Sequence, residues 1–433
     1  MSQAVQSENN RDRLHFLLLN LGHFLDHLFT LIFATVAALA LSREWGLGYA
    51  DLLKYATPGF FAFGLFSLPA GWLADKWSRE GMMAVFFSGI GIASIATSFA
   101  QTPLQVGIGL FVVGVFAAIY HPVGLAIVVE KWKNTGMRLA VNGVWGNLGV
   151  ASAALITGYL IDHGGWRIAF VLPGVVSIAV GIAYTVARWP EIAHPPVRRM
   201  TADSTKLAPD YRRMLIRISI IAFLTSAVSS IIFQSTTFAL PKIFDEKLQG
   251  IANIFVTWFN AFRTGSSTTS ATMVGAFAFS VFAIASLAQL VVGSLLDKLG
   301  PRTVFMAVAS IQVVFFALMP GLSNWAALVC ALCFMIGAFG QIPINDYMIG
   351  KMASGDFRAR VYGVRYVVSF TSLAIALPLI GTIHQRWGFD TLFVVLSACA
   401  FIILCAVFLL PQKLPAPVTV PAASGLGPSL AKA

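Results

Sequence analysis

Gly71-Trp72-Leu73-Ala74-Asp75-Lys76 and Gly293-Ser294-Leu295-Leu296-Asp297-Lys298 are two copies of one pattern, Gly-x-x-x-Asp-Lys, 222 residues apart. Each copy ends a long apolar segment. Each is followed by an arginine, Arg79 in the first copy and Arg302 in the second. A motif that returns once in each half of a chain indicates an internal repeat.

Other landmarks repeat at nearly the same offset. Pro122 matches Pro343 after 221 residues, and Arg138 matches Arg358 after 220. A coincidence would not keep this register over so long a stretch. The sequence therefore predicts two copies of one structural unit.

The composition is that of a membrane protein. The chain has 433 residues, of which 58% are hydrophobic and 11% are charged, whereas a soluble protein carries about 25% charged residues. Twelve apolar runs are long enough to cross a bilayer, and each must be helical because lipid offers no hydrogen-bond partners. We number them spans 1 to 12: 14–41, 52–74, 81–100, 104–129, 139–161, 168–187, 215–240, 271–296, 303–323, 325–350, 361–383 and 391–411. The predicted fold is an all-α membrane protein of twelve transmembrane helices in two six-helix repeats.

The net charge of +11 follows from membrane topology and does not indicate a nucleic-acid partner. With the N-terminus inside, 22 of the 29 Lys and Arg residues lie in inner loops and tails. The remaining seven lie outside: Arg43, Lys54, Arg167, Lys242, Lys247, Arg263 and Arg386. This bias predicts a multi-pass protein of a bacterial-type inner membrane with both termini in the cytoplasm.

Two polar stretches set the predicted domain boundaries. One is rich in Pro and Arg and separates spans 6 and 7, and the other follows span 12 and has few large apolar residues. We predict an N-terminal six-helix bundle over 1–188, a cytoplasmic linker over 189–214, a C-terminal six-helix bundle over 215–411 and a disordered tail over 412–433.

The outer loop between spans 7 and 8 is longer than its counterpart in the first half by about 20 residues. Its apolar residues follow helical spacing: Ile251, Ile254, Phe255, Trp258, Phe259 and Phe262. This pattern predicts a helix that lies flat at the outer interface or extends a neighbouring span.

The repeated motif, the twelve spans and the basic central linker together resemble the major facilitator superfamily. In that family the motif glycine permits close helix packing, the aspartate helps to latch the cytoplasmic gate, and the basic residues lie at the inner surface. The resemblance assigns these gating roles to Gly71, Asp75, Lys76 and Arg79, with Gly293, Asp297 and Arg302 as a weaker second copy. The alternative is that these charges only set topology.

Three further motifs resemble the fosmidomycin-resistance branch of drug exporters in that superfamily. They are Gly22-His23-Phe24-Leu25-Asp26-His27 in span 1, Tyr120-His121-Pro122 in span 4 and Gly146-Asn147-Leu148-Gly149 in span 5. The chain departs from the branch at Asp26-His27, where the branch has Asn-Asp. It also has Ala153-Ala154 where antiporters have Gly-Pro.

Span 1 carries ionisable residues near its middle, where a charge costs about 2.5–3.5 kcal/mol. Helical spacing places His23, Asp26 and His27 on one broad face, and such groups can take up and release a proton near neutral pH. We predict a proton-coupling or substrate site. The alternatives are a polar patch that joins span 1 to a neighbour and a divalent metal site. We set the metal aside because span 1 has no Cys and no further close His, and we predict neither metal nor cofactor.

Polar residues of other spans complete the predicted site and gate. His121 in span 4 is either a structural or a cavity histidine, and Asn147 in span 5 could line a polar path. Asp346 in span 10 and Arg365 in span 11 reach a similar depth near the cytoplasm. We predict that they pair as part of the inner gate, and the alternative is an Arg365 that binds an anionic substrate.

The sequence has no Gly-x-x-x-x-Gly-Lys-Ser/Thr phosphate loop, so an ion gradient is the predicted energy source. We expect a monomeric secondary active transporter, not an enzyme, that works in the lipid bilayer by alternating access. The expected reaction is efflux of a drug-like or amphipathic small molecule by proton-coupled antiport. The alternatives are uptake or exchange of a small organic anion, transport of a divalent metal, and a membrane sensor that has lost transport.

Overall fold

The computed structural model describes the backbone of residues 3–132, 135–195, 209–261, 270–352 and 355–410. Almost all of these residues are helical, and none of them lies in a β-strand. The predicted all-α fold is confirmed. We keep the span numbers for the observed helices.

The first half contains the six predicted spans. Span 1 runs over Gln3–Val36 and continues through a π-helical turn, Ala37–Leu41, into Ser42–Glu44; span 2 is Tyr49–Lys76; span 3 is Arg79–Ser98; span 4 is Pro103–Ala117 followed by Tyr120–Lys131; and spans 5 and 6 are 135–164 and 166–193. Spans 5 and 6 meet at Gly165, whose φ of 76° lies in the left-handed region that glycine adopts without strain.

The second half repeats this arrangement. Span 7 is Pro209–Lys247, span 8 is Ser270–Leu299, span 9 is Pro301–Leu318, span 10 is Asn324–Met352, and spans 11 and 12 are 355–387 and 389–408. Spans 11 and 12 meet at Gly388, with a φ of 75°. The bends at Gly165 and Gly388 lie 223 residues apart, which is the register of the sequence repeat.

The described part of the chain contains enough apolar helix for twelve membrane crossings. Nine described helices are long and apolar enough to cross a membrane. Two of the nine contain the bends at Gly165 and Gly388 and therefore provide two crossings each. The remaining crossing is the 28-residue helix Tyr49–Lys76. The chain is thus a multi-pass membrane protein.

Glycines bring the helices of the first half close together. A β-carbon added at Gly114 in span 4 would lie 2.0 Å from the carbonyl oxygen of Gly59 in span 2. One added at Gly91 in span 3 would lie 2.6 Å from the carbonyl oxygen of Gly174 in span 6. Because lipid provides no hydrophobic drive for helix association, such close backbone packing is a main source of stability in membrane bundles.

Small residues also join the two halves near their predicted outer ends. A β-carbon at Gly158 in span 5 would lie 2.5 Å from the carbonyl oxygen of Ala271 in span 8. One turn deeper, a β-carbon at Gly275 would lie 2.5 Å from the carbonyl oxygen of Ala154. The backbones of spans 5 and 8 therefore pack against each other across the boundary between the halves.

Polar contacts lie at the same end of the molecule. Arg43 Nη2 is 3.3 Å from Asp245 Oδ1, which joins spans 1 and 7. The backbone N–H of Thr272 in span 8 donates to Asp162 Oδ2 in span 5 at 2.9 Å. Within each of these spans the contact falls next to the predicted outer loop. The two halves are therefore in contact at the predicted outer side.

The predicted helix after span 7 is confirmed over Gln249–Ala261. Its Phe255 ring packs on Phe277 of span 8 and Trp325 of span 10, with centroid distances of 5.7 and 6.2 Å. Ile254 and Trp258 are exposed. The interfacial placement of this helix stays a prediction, and Phe262 lies outside the described residues.

The described helices extend into both ends of the predicted linker, 189–214. Span 6 continues to Ala193, and span 7 begins at Pro209. Residues 196–208 and 411–433 lie outside the described residues. The division into two bundles, a linker and a tail stays a prediction.

Candidate functional site

Three imidazole rings and one carboxyl group meet between spans 1 and 4. Span 1 provides His23, Asp26 and His27, and span 4 provides His121. One ring nitrogen from each histidine lies within 4.8 Å of those of the other two. Asp26 Oδ2 lies 3.3 Å from His121 Nε2. We call these four residues the histidine cluster.

The histidine cluster is buried near the middle of span 1. The side chain of Asp26 is inaccessible to solvent, His23 and His121 are buried, and His27 is half-buried. Among the described residues, no Lys or Arg lies within salt-bridge distance of Asp26. Because a buried charge is stable only with a partner, His121 is the nearest described group that can offset a charge on Asp26.

A hydrogen-bond network fixes the orientation of His23. Its Nδ1 lies 2.8 Å from the carbonyl oxygen of Asn142 in span 5. A carbonyl only accepts, so Nδ1 carries the proton and donates. The Asn142 side-chain amide donates to Asn20 Oδ1 and to Tyr120 Oη, each at 2.9 Å. Tyr120 in turn donates to the carbonyl oxygen of Leu19 at 2.8 Å. Spans 1, 4 and 5 are thereby joined around one imidazole ring.

Aromatic rings line the histidine cluster. The Tyr120 ring stacks on His23 with a centroid distance of 4.9 Å. The Phe63 ring of span 2 lies 6.1 Å from that of His121. Phe63 also lines a cavity of about 20 Å³ between spans 1, 2 and 4, a volume that fits about one water molecule. The surroundings of the cluster combine flat apolar faces with imidazole nitrogens.

Two glycines of the span 5 motif let the network form. The nearest ring atoms to a β-carbon added at Gly146 would be Nε2, Cε1 and Cδ2 of His23, at 2.6, 2.7 and 2.9 Å. Nearly equal distances place that carbon over the ring face, so Gly146 packs flat on the imidazole. A β-carbon at Gly149 would lie 2.2 Å from the carbonyl oxygen of Phe24. The motif is therefore a packing surface for span 1.

We expect Gly149→Ala to lower the stability of the detergent-solubilised protein, measured by thermal unfolding. Its added methyl group overlaps backbone that cannot rotate away, and such overpacking costs about 1–3 kcal/mol. Gly143→Ala is the matched control on the same helix, because its added carbon would meet nothing within 4 Å. The control should be as stable as the parent or slightly more so, since alanine favours helix over glycine. Equal loss in both variants would contradict this packing.

Four of the five residues predicted for the coupling or substrate site come together, and Asn147 does not join them. Asn147 is half-buried in span 5, and no described hydrogen bond connects it to the histidine cluster. Its neighbour Gly146 makes the contact instead. The sequence analysis gave no site role to Asn20 or Tyr120. Asn20 lies three residues before His23 on span 1, so helical spacing could have revealed it.

The first copy of the repeated motif forms an ion network at the predicted inner side. Arg79 donates from Nη2 to Asp75 Oδ1 at 2.7 Å and from Nη1 to Glu130 Oε2 of span 4 at 2.8 Å. A β-carbon at Gly71 would lie 3.3 Å from Pro122 Cβ, so this glycine allows close packing of span 2 on span 4. Lys76 is exposed.

The second copy differs in its packing. A β-carbon at Gly293 would meet nothing within 4 Å, unlike one at Gly71. The side chains of Asp297, Asp346 and Arg365 lie outside the described residues. The gating role of Asp297 and the ion pair of Asp346 with Arg365 therefore stay predictions.

The sequence analysis missed a second buried polar cluster, which surrounds Glu80 at the start of span 3. Tyr184 of span 6 donates a hydrogen bond to Glu80 Oε2. Arg188 Nη2 lies 3.3 Å from Glu80 Oε1, and His15 Nε2 of span 1 lies 3.2 Å from Oε2. Lys131 Nζ of span 4 lies 3.1 Å from His15 Nδ1. Glu80 thus joins spans 1, 3 and 6 at their predicted inner ends, and His15 connects this contact to Lys131 of span 4.

Known proteins resemble this chain in sequence. The sequence model of the Major Facilitator Superfamily matches residues 19–276 and 248–432. The niacin transporter NiaP of Acinetobacter baylyi is 29% identical over 174 residues, which cover 39% of each chain. The puromycin resistance protein pur8 of Streptomyces alboniger is 32% identical over 135 residues, which cover 30% of this chain and 27% of that protein. The chain thus matches less than two-fifths of the length of these relatives.

Solved structures agree on the fold. A bacterial homologue of the human lysosomal transporter Spinster, solved in an inward-facing and unoccupied conformation, superposes with a TM-score of 0.63. The superposition covers 92% of this chain and 94% of that one at 14% identity. At this identity the likeness concerns the fold alone.

Proposed function

Because this chain belongs to the major facilitator superfamily, it is a membrane transporter of small molecules and not an enzyme, and we propose that it exports a small aromatic compound by proton-coupled antiport. The resemblance to the fosmidomycin-resistance branch stays a prediction. The observation that supports the choice of cargo is the histidine cluster with its aromatic walls, which we propose as the site for the cargo or its coupling ion.

Alternating access is the proposed mechanism. The contact between the halves at the predicted outer side supports it, because spans 5 and 8 pack backbone to backbone there through Gly158 and Gly275. Opening toward the outside requires this contact and the nearby polar contacts to part. Small residues suit such a contact, since no large side chain has to be repacked when the halves separate.

Two relatives support an aromatic cargo. Niacin and puromycin both contain aromatic rings, and the names of NiaP and pur8 assign those compounds to those proteins. Stacking on Tyr120 and Phe63 would hold such a ring at the histidine cluster. The resistance function of pur8 supports export as the direction.

A second candidate function is uptake of an aromatic carboxylate. Niacin is such an acid, and imidazolium groups of the histidine cluster could bind its anionic group. This candidate agrees with the organic-anion alternative from the sequence, although it places the anion in the first half and not at Arg365.

The test is transport into proteoliposomes of the purified full-length chain under an imposed pH gradient. We expect radiolabelled puromycin to accumulate in vesicles with an acidic interior, and nigericin, which collapses the gradient, to abolish accumulation. Protein-free liposomes are the control. Niacin accumulation that is driven by an acidic exterior would favour the second candidate. Cargo accumulation that does not depend on the pH gradient would contradict proton coupling.

The remaining topology is also a proposal. We place both termini and the linker in the cytoplasm of a bacterial-type inner membrane, supported by the positive-inside bias, and we treat the transporter as a monomer. The inner latch is proposed to consist of Gly71, Asp75, Lys76 and Arg79, together with Asp297 and the pair of Asp346 and Arg365. The bridge from Arg79 to both Asp75 and Glu130 supports it.

A further inference from the structure

The histidine cluster contains the donor set of a transition-metal site. Three imidazole nitrogens and one carboxylate oxygen are ligands that Zn²⁺ and related divalent ions prefer. The fold supplies what span 1 alone lacked, because His121 of span 4 brings a third imidazole to within 4.8 Å of the other two. We propose that His23, Asp26, His27 and His121 bind one divalent transition-metal ion.

The tautomer of His23 fits this role. Its Nδ1–H donates to the Asn142 carbonyl oxygen at 2.8 Å, so the lone pair is on Nε2. Metal-binding histidines commonly use their second nitrogen in this way, since the hydrogen bond fixes the ring. Nε2 of His23 is buried and has no hydrogen-bond partner among the described residues. Gly146 covers the ring face and not the lone-pair direction, which lies in the ring plane.

The charge of the site also favours a cation. Asp26 is fully buried, and among the described residues only His121 lies at salt-bridge distance from it. A divalent ion would provide the countercharge that Lys and Arg do not provide here. Neutral imidazoles can share the same ion without adding repulsion.

Binding requires the four side chains to move together slightly. Ligand nitrogens on a tetrahedral Zn²⁺ lie about 3.3 Å apart, given Zn–N bonds of about 2.0–2.1 Å. The ring nitrogens of the three histidines lie within 4.8 Å of one another, so shifts of roughly 1 Å bring these three ligands to that spacing, and Asp26 Oδ2 already lies 3.3 Å from His121 Nε2. His27 is half-buried and has the most freedom to move. His23 is held by Asn142 and Gly146 and therefore serves as the fixed ligand.

The metal site lies at the cluster that the proposed function uses, and only a role of the metal in transport rests on that function. Metal binding itself needs no transport. If transport fails and metal still binds, the proposed function is wrong and the metal site stands. If transport proceeds and no metal binds, the metal site alone is wrong.

The test is calorimetric titration of the tag-free, chelator-treated full chain in detergent with Zn²⁺, together with visible absorption of the Co²⁺ form. We expect one ion to bind per chain and the Co²⁺ spectrum to show intense bands of tetrahedral coordination. His27→Gln and His121→Gln should each weaken binding at least about tenfold. His163→Gln is the matched control, because His163 is exposed near the bend between spans 5 and 6 and its Nδ1 bonds to the Tyr159 carbonyl oxygen.

Thermal unfolding without metal confirms that each variant is folded. Asp26→Asn provides a second variant that keeps the side-chain shape and removes the anionic ligand, and it should also weaken binding. The proposal is overturned if the parent chain shows no saturable Zn²⁺ binding. It is equally overturned if His27→Gln and His121→Gln bind as tightly as His163→Gln.

Discussion

Gly275→Leu should strongly reduce transport while the protein remains folded. A β-carbon at Gly275 would lie 2.5 Å from the carbonyl oxygen of Ala154 and 2.9 Å from Leu155 Cα. Both atoms belong to the backbone of span 5 in the other half, so neither can rotate away. The leucine must therefore hold the outer ends of spans 5 and 8 apart. An alternating-access carrier that cannot close one side completes no cycle.

Two measurements together check this expectation. Transport in proteoliposomes should fall by roughly 5- to 160-fold, because interfacial overpacking of about 1–3 kcal/mol shifts a two-state equilibrium by that factor. A cysteine placed at Ala271, which is buried in this structure, should become reactive toward a membrane-impermeant maleimide in a background without native cysteines.

Ser280→Leu is the matched control for added volume on span 8. Ser280 lies on the exposed face of that helix, in line with exposed Ile284 and Leu287. This variant should transport like the parent and leave Ala271→Cys unlabelled. Wild-type transport by Gly275→Leu would mean that the contact between spans 5 and 8 does not close during the cycle.

The fold was predictable because the bilayer restricts a chain so strongly. An apolar run of about 20 residues can only be a helix in lipid, and the Gly-x-x-x-Asp-Lys repeat supplied the two-fold organisation. The bends at Gly165 and Gly388 follow from the same repeat. Helix ends were less predictable. Span 7 continues past its hydrophobic part as far as Lys247, because charged residues extend the helix there.

The histidine cluster was only half predictable. Helical spacing alone places His23, Asp26 and His27 on one face, so this part of the cluster could be predicted from span 1 without knowing which helices pack against it. The approach of His121 depends on which helices pack together and at which register. Gly22 sets that register through its contact with Tyr120, and Gly146 and Gly149 set the register of span 5 on span 1 through contacts with His23 and Phe24. Single-helix patterns contain no information about such contacts, which is why the sequence argued against a metal site although the fold brings a third histidine to the other two.

The second large effect is expected at the missed cluster, where Glu80→Ala should destabilise the protein by about 3–5 kcal/mol. The Glu80 side chain is only 13% exposed, and its partners His15 and Arg188 are 0% and 9% exposed. Removing the carboxylate leaves the Arg188 charge without one of its two described acidic partners, Glu80 and Glu191. It also removes the acceptor for Tyr184. Spans 1, 3 and 6 lose their common contact at once.

Unfolding of the purified protein by SDS in mixed micelles measures this loss as a free energy. Glu80→Gln should lose less than Glu80→Ala, because the amide oxygen still accepts from Tyr184 and the side-chain volume is kept. Glu44→Ala is the matched control: its partner Arg167 lies 3.4 Å away, and both side chains are more than 40% exposed. Exposed pairs of this kind contribute about 0–1 kcal/mol. If Glu80→Ala loses no more than Glu44→Ala, the Glu80 cluster does not hold the inner ends of the first bundle together, and the stability of that bundle must come from the glycine contacts between its helices.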